Sequence, residues 1–269
     1  MTLGKAFEPS KVYQVFPLRG DLSKLRYFAT LIVPTRMADG RYPVVDAWYE
    51  LSPIDGFEVR HDVFITPPQR GTRKTPDLRL GWGFIEGPAT EFQTRERERL
   101  GPYARVHSAG GVEPKQHGLG YTLYCAAGLL AGYLGARFDD RPGRIRSVEG
   151  VYSPMASFGN FFPEDEAGAP TPEAEAVWRR LVTIPLGSRP PIAQTVPSFS
   201  WAYNAATRSR MRTYYPYNIL TTDSVLDSGF VVALGPDVSP RYRSHRRIPL
   251  ATQSRLAYDL KFVPIRPTL

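Results

Sequence analysis

Apolar and β-branched residues in the first third of the chain fall into short runs separated by polar and turn-forming residues. Such runs occupy residues 25–33, 44–51 and 57–65, and the Ala-Asp-Gly sequence at 38–40 is a turn signal between the first two. Runs of this length and content are typical of β-strands. We therefore predict an antiparallel meander, with residues 81–86 as a further strand.

Helical segments are predicted only after this meander. A short strand, which includes His107, is predicted to pass into a glycine turn within residues 112–120 and then directly into a helix at 121–134, and a further strand is predicted at 147–153. A second helix is predicted at 171–181, because Thr171 is a favourable N-cap and is followed by proline and glutamate in the first turn.

The glycine turn before the first helix predicts an anion site. The first N–H groups of a helix have no partner within it, and the helix dipole adds positive potential at the same end. Gly118 and Gly120 can take a positive φ and carry no Cβ, so an anion can approach the main chain, while Lys115 adds a mobile positive charge. The predicted binding residues are Val112, Lys115, Gln116, His117, Gly118, Leu119, Gly120, Tyr121 and Thr122.

The spacing of this turn excludes two common nucleotide-binding motifs. It lacks the Gly-Lys-Ser/Thr ending of a Walker A loop, and it lacks the third glycine and later acid of a dinucleotide fingerprint. Val-x-Pro followed by Lys-x-x-Gly-x-Gly and an aliphatic helix resembles motif A of the GNAT-type N-acetyltransferases, over about residues 100–185. The resemblance implies acetyl-CoA as the cofactor and an α/β (α+β) fold, with a mixed, mostly antiparallel sheet flanked by helices.

The same resemblance implies where a reaction would occur. The family needs a group that takes a proton from the incoming amine, close to where its splayed sheet forms the acetyl site. Glu149 and Tyr152 are the catalytic candidates, and an exposed glutamate and a packed tyrosine are the alternative roles. The helix at 171–181 keeps the family's alanine at Ala174, but Trp178 stands where many members have the tyrosine that protonates the departing thiolate. The turn is also shorter than in the family. No metal site is expected, because no two histidines have metal-ligand spacing.

Positive charge is concentrated in the last third of the chain. The whole chain has a formal net charge of +8, and residues 189–269 contain eleven Lys/Arg against four Asp/Glu, a net of +7. This segment also contains predicted strands at 219–226 and 230–234. Arginines alternate there with aromatic residues, which suits phosphate contact and base stacking, but a solvated basic face or an arm on an acidic protein fits equally well.

These features predict a GNAT-like domain at 1–188 and a basic, proline-rich extension at 189–269 that binds nucleic acid, an acidic partner or a neighbouring subunit. The expected contact residues are Arg208, Arg210, Arg212, Arg241, Arg243, Arg246 and Arg247.

Cellular location and function follow from the remaining features. The chain has no run long enough to span a membrane and no apolar secretory signal, so we expect a soluble cytoplasmic protein, or a virion-associated one if its source is a virus. Cys125, the single cysteine, is expected to be a buried thiol. One function that fits is a GNAT-like N-acetyltransferase acting on an amine of unknown identity. The alternative is a catalytically inactive GNAT-fold interaction or structural protein, of a virus or mobile element, whose basic segment binds nucleic acid or a neighbouring subunit.

Overall fold

The computed structural model describes most of the segments expected to be regular. The described residues are 7–9, 11–18, 21–51, 60–69, 78–86, 103–111, 118–133, 149–154, 171–183, 191–196, 199–204, 209–214, 217–236, 256–257 and 260–264. Their strands, in chain order, are β1 (Val12–Pro17), β2 (Arg26–Ile32), β3 (Tyr42–Leu51), β4 (Arg60–Thr66), β5 (Leu78–Arg79), β6 (Gly81–Glu86), β7 (Tyr103–Gly111), β8 (Gly150–Pro154), β9 (Ala193–Val196), β10 (Phe199–Asn204), β11 (Ser209–Tyr214), β12 (Tyr217–Thr221), β13 (Val231–Leu234), β14 (Leu256–Ala257) and β15 (Lys261–Pro264). The α-helices are α1 (Leu119–Tyr133), α2 (Pro172–Thr183) and α3 (Thr222–Asp227), and a 3-10 helix covers Leu22–Lys24.

One large sheet organises the described part of the chain. Its strand order is β13-β2-β3-β4-β6-β7-β8-β12-β9, and β14 pairs with β3 beside this path. Neighbours along the order are antiparallel except β7 and β8, which are parallel. The predicted mixed α+β fold with a mostly antiparallel sheet is thus confirmed. Strands from both sides of residue 188 belong to this sheet.

The large sheet is strongly curved. Strands β12 and β13 lie seven positions apart in its order, which in a flat sheet is about 34 Å. Only residues 222–230 connect them, and six of these form α3, which is about 9 Å long. The two strands must therefore be brought together by curling of the sheet. Bulges in β2, β7 and β13 contribute, because an extra residue in one strand bends it and increases its twist.

Helix α1 lies inside this curved sheet. It contacts β2, β4, β6, β7, β8 and β12, and α2 and α3 cover its remaining sides. Every residue of α1 except Gly120 is buried as a result, and the predicted buried thiol of Cys125 is confirmed. A helix that is apolar all round is expected in such a position.

The hydroxyl of Thr222 joins α1 to the C-terminal part of the sheet. It donates a hydrogen bond to the carbonyl of Gly128 at 2.7 Å and accepts one from the N–H of Gly132 at 3.1 Å. Thr222 is fully buried. A Cβ on Gly132 would lie 2.3 Å from the Thr222 hydroxyl oxygen, so the close approach of α3 to α1 requires glycine at this position.

A capping signal correctly predicted the start of α2, whereas strand propensity was misleading where α3 forms. The Thr171 hydroxyl accepts a hydrogen bond from the N–H of Ala174 at 3.3 Å, so the predicted start of α2 is confirmed. The strand predicted at 219–226 is wrong beyond Thr221. There the Thr221 hydroxyl accepts from the N–H of Ser224 at 3.0 Å and begins α3.

Two smaller sheets complete the described structure. One has the order β15-β1-β5, and the other is the hairpin β10-β11. None of the described helices is long and apolar enough to cross a bilayer.

Candidate functional site

The predicted anion site lies at one end of the curved sheet. Strand β7 ends at Gly111 and α1 begins at Leu119, so a strand precedes the helix in the chain, as the sequence predicts. The turn residues Val112, Lys115, Gln116 and His117 lie outside the described residues. The first turn of α1 carries no acidic residue, so no side-chain charge there opposes the positive potential of the helix start.

Gly118 has the backbone conformation expected of a glycine turn. Its φ is +77°, which favours glycine, and the prediction of a positive φ is confirmed here. A Cβ at this position would lie 2.8 Å from the hydroxyl oxygen of Thr35 and 3.5 Å from the ring of Pro34. Glycine is therefore required by close contact with the chain after β2 as well as by φ.

The other glycine of the motif has a different role from the predicted one. Gly120 is within α1 and is not one of the described glycines that have a positive φ. A Cβ on Gly120 would lie 3.1 Å from a methyl group of Val177 in α2. The prediction of a positive φ at Gly120 is wrong, because the helix begins one residue earlier. Its missing side chain makes room for α2.

The side chains of the first turn of α1 are buried. Leu119 and Tyr121 belong to the main core, and Thr122 donates to the carbonyl of Gly118 from its N–H at 3.1 Å and from its hydroxyl at 3.2 Å. The Tyr121 ring packs edge-on against Phe230. Its hydroxyl is buried without a hydrogen-bond partner, and burial raises the pKa of Tyr121 above its usual value.

Strands β7 and β8 pair for only three residues and then separate. Tyr103 is opposite Gly150, Ala104 opposite Val151 and Arg105 opposite Tyr152, where the described pairing ends. Beyond that point β7 continues to Gly111 beside β6, and β8 continues to Pro154 beside β12. The separation opens toward the carboxyl ends of both strands. It therefore faces the end of the sheet where α1 begins.

A β-bulge in β7 accompanies this separation. Phe84 of β6 is opposite Ser108, but its neighbour Ile85 is opposite Val106, so His107 is an extra residue on β7. A bulge bends its strand and re-aims it, and this one lies two residues past the last pair with β8. The bend is a physical cause for the divergence of the two strands.

Three polar residues lie on or directly before the paired segment of β7 and β8. Tyr152 packs with Tyr103 and Ile219 on the opposite face of β8 from Val151, which lies in the main core. Glu149 immediately precedes β8 and is half-buried. Burial and the negative charge of Glu149 both raise the pKa of Tyr103, so the carboxylate and the phenol are electrostatic neighbours.

Tyr103, which sequence reasoning missed, thus packs against the cluster of Tyr152 and Ile219 and is an electrostatic neighbour of Glu149. No local pattern singles out Tyr103, because its nearness to Glu149 depends on the register of β7 against β8. The start of α1 lies toward the carboxyl end of β8, whereas Glu149 is at the amino end of this strand. Glu149 accepts a hydrogen bond through its carbonyl from the N–H of Thr222, beside the last turns of α1.

Trp178 is a core residue. It is fully buried in α2 and packs edge-on against Tyr124 of α1, with ring centroids 5.1 Å apart. Its indole N–H has no hydrogen-bond partner. Burial raises the pKa of Tyr124 to about 12. The α2 position that carries the family's tyrosine therefore supplies packing in this chain.

Of the predicted basic contact residues, two lie on a described strand. Arg210 and Arg212 belong to β11, which pairs with β10. The others, Arg208, Arg241, Arg243, Arg246 and Arg247, lie outside the described residues.

No metal-binding cluster accompanies this site in the part of the chain that the structure describes: no three His, Cys, Asp or Glu side chains lie close enough together to hold an ion. Comparison of the chain with protein-family models, with curated proteins and with solved structures finds no match.

Proposed function

We propose that this protein is a GNAT-like N-acetyltransferase that binds acetyl-CoA at the end of the sheet where α1 begins. The observation that carries the proposal is the separation of β7 from β8 beside the glycine turn. Ligands of sheet proteins commonly occupy a gap outside the carboxyl ends of parallel strands, next to the start of the helix that joins them. The resemblance of residues 100–185 to the acetyltransferases supports the same site.

The start of α1 would bind the pyrophosphate. Its first N–H groups have no acceptor within the helix, and Lys115 precedes Leu119 by four residues in the sequence. Gly118 contacts Thr35 on one side, so the anion would approach from the side of residues 112–117. The burial of Leu119 and Tyr121 holds the helix start in a fixed position, which lowers the ordering cost of binding.

The main-chain N–H and C=O groups of the separated strands would bind the pantetheine arm. Past Arg105 the edge of β7 that faces β8 has no paired strand among the described residues. Its N–H and C=O groups are therefore suited to the amides of the arm, in the manner of an added strand. The thioester would then lie near the last β7–β8 pair, at Arg105 and Tyr152.

The side chains at this point suit acyl transfer to an amine. Acetyl-CoA supplies the activated acyl group. The amine nitrogen attacks the thioester carbonyl carbon, the C–S bond breaks, the thiolate leaves, and the nitrogen loses a proton. Glu149 would take that proton, directly or through water, and Tyr103 would stay protonated because its pKa is raised. A phenol of this kind, on Tyr103 or Tyr152, replaces the tyrosine that Trp178 displaces.

The first test is thermal unfolding with increasing acetyl-CoA. A ligand at about 100 times its Kd stabilises the native state by about 2.7 kcal/mol, which raises the midpoint by roughly 5–10 °C in a domain of this size. Lys115→Ala should weaken binding roughly 10-fold, since a charged hydrogen bond is lost. Lys261→Ala, which removes an exposed lysine from β15, is the matched control and should bind like the wild type. Glycine substitutions are unsuitable because Gly118 contacts Thr35 and Gly120 contacts Val177.

Either of two results would overturn the proposed site: no saturable shift at millimolar acetyl-CoA, or equal affinity of Lys115→Ala and the wild type. The reaction is tested separately by thiol release with a panel of amines, comparing Glu149→Gln with the wild type.

A second function, binding without catalysis, is favoured by one observation. Trp178 is fully buried and cannot donate a proton to a thiolate as the family's tyrosine does. Saturable acetyl-CoA binding without thiol release for any amine would support this function.

A further inference from the structure

The hairpin β10–β11 continues the edge of the large sheet. In the pair β9–β12, Val196 is opposite Tyr217, and in the hairpin Phe199 is opposite Tyr214. Phe199 is three residues after Val196, and its partner Tyr214 is three residues before Tyr217. The hairpin therefore has the same register as the pair β9–β12. Strand β8, the other neighbour of β12, ends with Pro154 opposite Tyr217. The hairpin itself is a separate two-stranded sheet, which we call the ribbon.

The register divides this ribbon into two faces of different chemistry. Opposite partners on antiparallel strands share a face, and alternate residues along a strand do so too. The pairs Phe199–Tyr214, Trp201–Arg212 and Tyr203–Arg210 therefore lie on one face, which we call the aromatic-arginine face. The pairs Ser200–Thr213, Ala202–Met211 and Asn204–Ser209 lie on the other.

The charge of the ribbon specifies an anionic partner. Residues 193–221, from β9 to β12, contain three arginines and no aspartate or glutamate. Two of these arginines, Arg210 and Arg212, are at positions of the aromatic-arginine face, directly opposite Tyr203 and Trp201. None of the three has an acidic neighbour within this segment to neutralise it.

The pairing of each arginine with an aromatic residue favours a partner with both phosphates and flat rings. Four aromatic positions lie on one face, spaced along each strand by about 6.7 Å, twice the rise per residue. Bases of single-stranded nucleic acid stack on such rings without regard to sequence, while arginines contact the phosphates. A duplex keeps its bases stacked on one another, and the acidic side chains of a protein carry no rings that could stack on the aromatic positions.

We propose that the aromatic-arginine face binds single-stranded nucleic acid without sequence specificity. This binding is independent of acetyl-CoA, so either can fail without the other. This face contains two arginines of the basic segment 189–269, Arg210 and Arg212.

The test uses the full-length protein and a fluorescein-labelled oligothymidylate, with affinity measured by anisotropy at several salt concentrations. Trp201→Ala should weaken binding roughly 5- to 150-fold, the range for loss of one stacked base. Trp201→Tyr should restore most of it. Arg212→Ala should reduce the slope of log K against log salt by about 0.7, the value for one phosphate contact to a single strand. Met211→Ala and Thr213→Ala, on the opposite face, are matched controls and should bind like the wild type.

Three outcomes would overturn the proposal. The first is no binding of the oligonucleotide at low salt. The second is equal losses in Trp201→Ala and Met211→Ala, with both variants retaining the wild-type unfolding midpoint. The third is displacement of the oligonucleotide by polyglutamate as effectively as by unlabelled oligonucleotide, which would identify an acidic protein as the partner.

Discussion

Replacing Thr222 by valine tests whether α3 fastens α1 inside the sheet. The two side chains have nearly the same shape, but valine cannot donate to the carbonyl of Gly128 or accept from the N–H of Gly132. Each buried hydrogen bond contributes about 1 kcal/mol, so the pair accounts for about 2 kcal/mol. For a chain of this size, that loss lowers the unfolding midpoint by roughly 4–8 °C.

Thr222→Ser separates the hydroxyl from the methyl group. Serine keeps the bridge and loses one buried methyl group, which costs about 1 kcal/mol. We therefore expect the free energy of unfolding to fall in the order wild type, Thr222→Ser, Thr222→Val. Urea-induced unfolding can be followed by tryptophan fluorescence, since Trp178 is fully buried against α1. The reasoning is refuted if Thr222→Val is as stable as the wild type, or if Thr222→Ser loses more stability than Thr222→Val.

Two further predictions concern buried titratable groups. Burial raises the pKa of the Cys125 thiol, so the folded state keeps a proton that the unfolded state loses above about pH 8.5. The contribution of this thiol to the free energy of unfolding should therefore be constant below that pH. Above it, the free energy of unfolding should fall by about 1.4 kcal/mol per pH unit. Urea midpoints at several pH values check this, and Cys125→Ala should delay the fall until the tyrosines ionise; identical profiles would contradict it. The buried Asp46 carboxylate accepts hydrogen bonds from the Thr30 hydroxyl at 2.6 Å and the N–H of Gln69 at 2.8 Å. Asp46→Ala should therefore cost about 3 kcal/mol by calorimetry, whereas Asp39→Ala, at an exposed position, should cost much less; equal costs would contradict this role.

Features that depend on neighbouring residues in sequence were predictable, and features that depend on register were not. The cap at Thr171 and the positive φ of Gly118 follow from local chemistry and are confirmed. The first two strands of the meander also follow from content, because they are rich in apolar and β-branched residues that are buried on both faces. By contrast, the propensity of residues 219–226 for strand was overridden by the cap at Thr221.

The candidate site shows the same division. The positive φ of Gly118 could be predicted from the local sequence, since it depends on the backbone of that residue. The cluster of Tyr103, Glu149 and Tyr152 could be predicted only in part, because Tyr103 approaches the other two through strand pairing across more than forty residues of chain. The reason that Gly120 is small likewise lies in α2, at Val177. Such a contact leaves no signal in the residues around it.

The enclosure of α1 has a consequence for folding during synthesis. Gly128 leaves the ribosome well before Thr222, since the two are 94 residues apart, yet the hydroxyl of Thr222 is needed to complete the wall around the helix. Until β12, α3 and β13 have been made, one side of a wholly apolar helix stays uncovered. Contacts so distant in sequence also form slowly. A nascent or truncated chain that ends near residue 188 would therefore present this helix to chaperones or to other copies of itself.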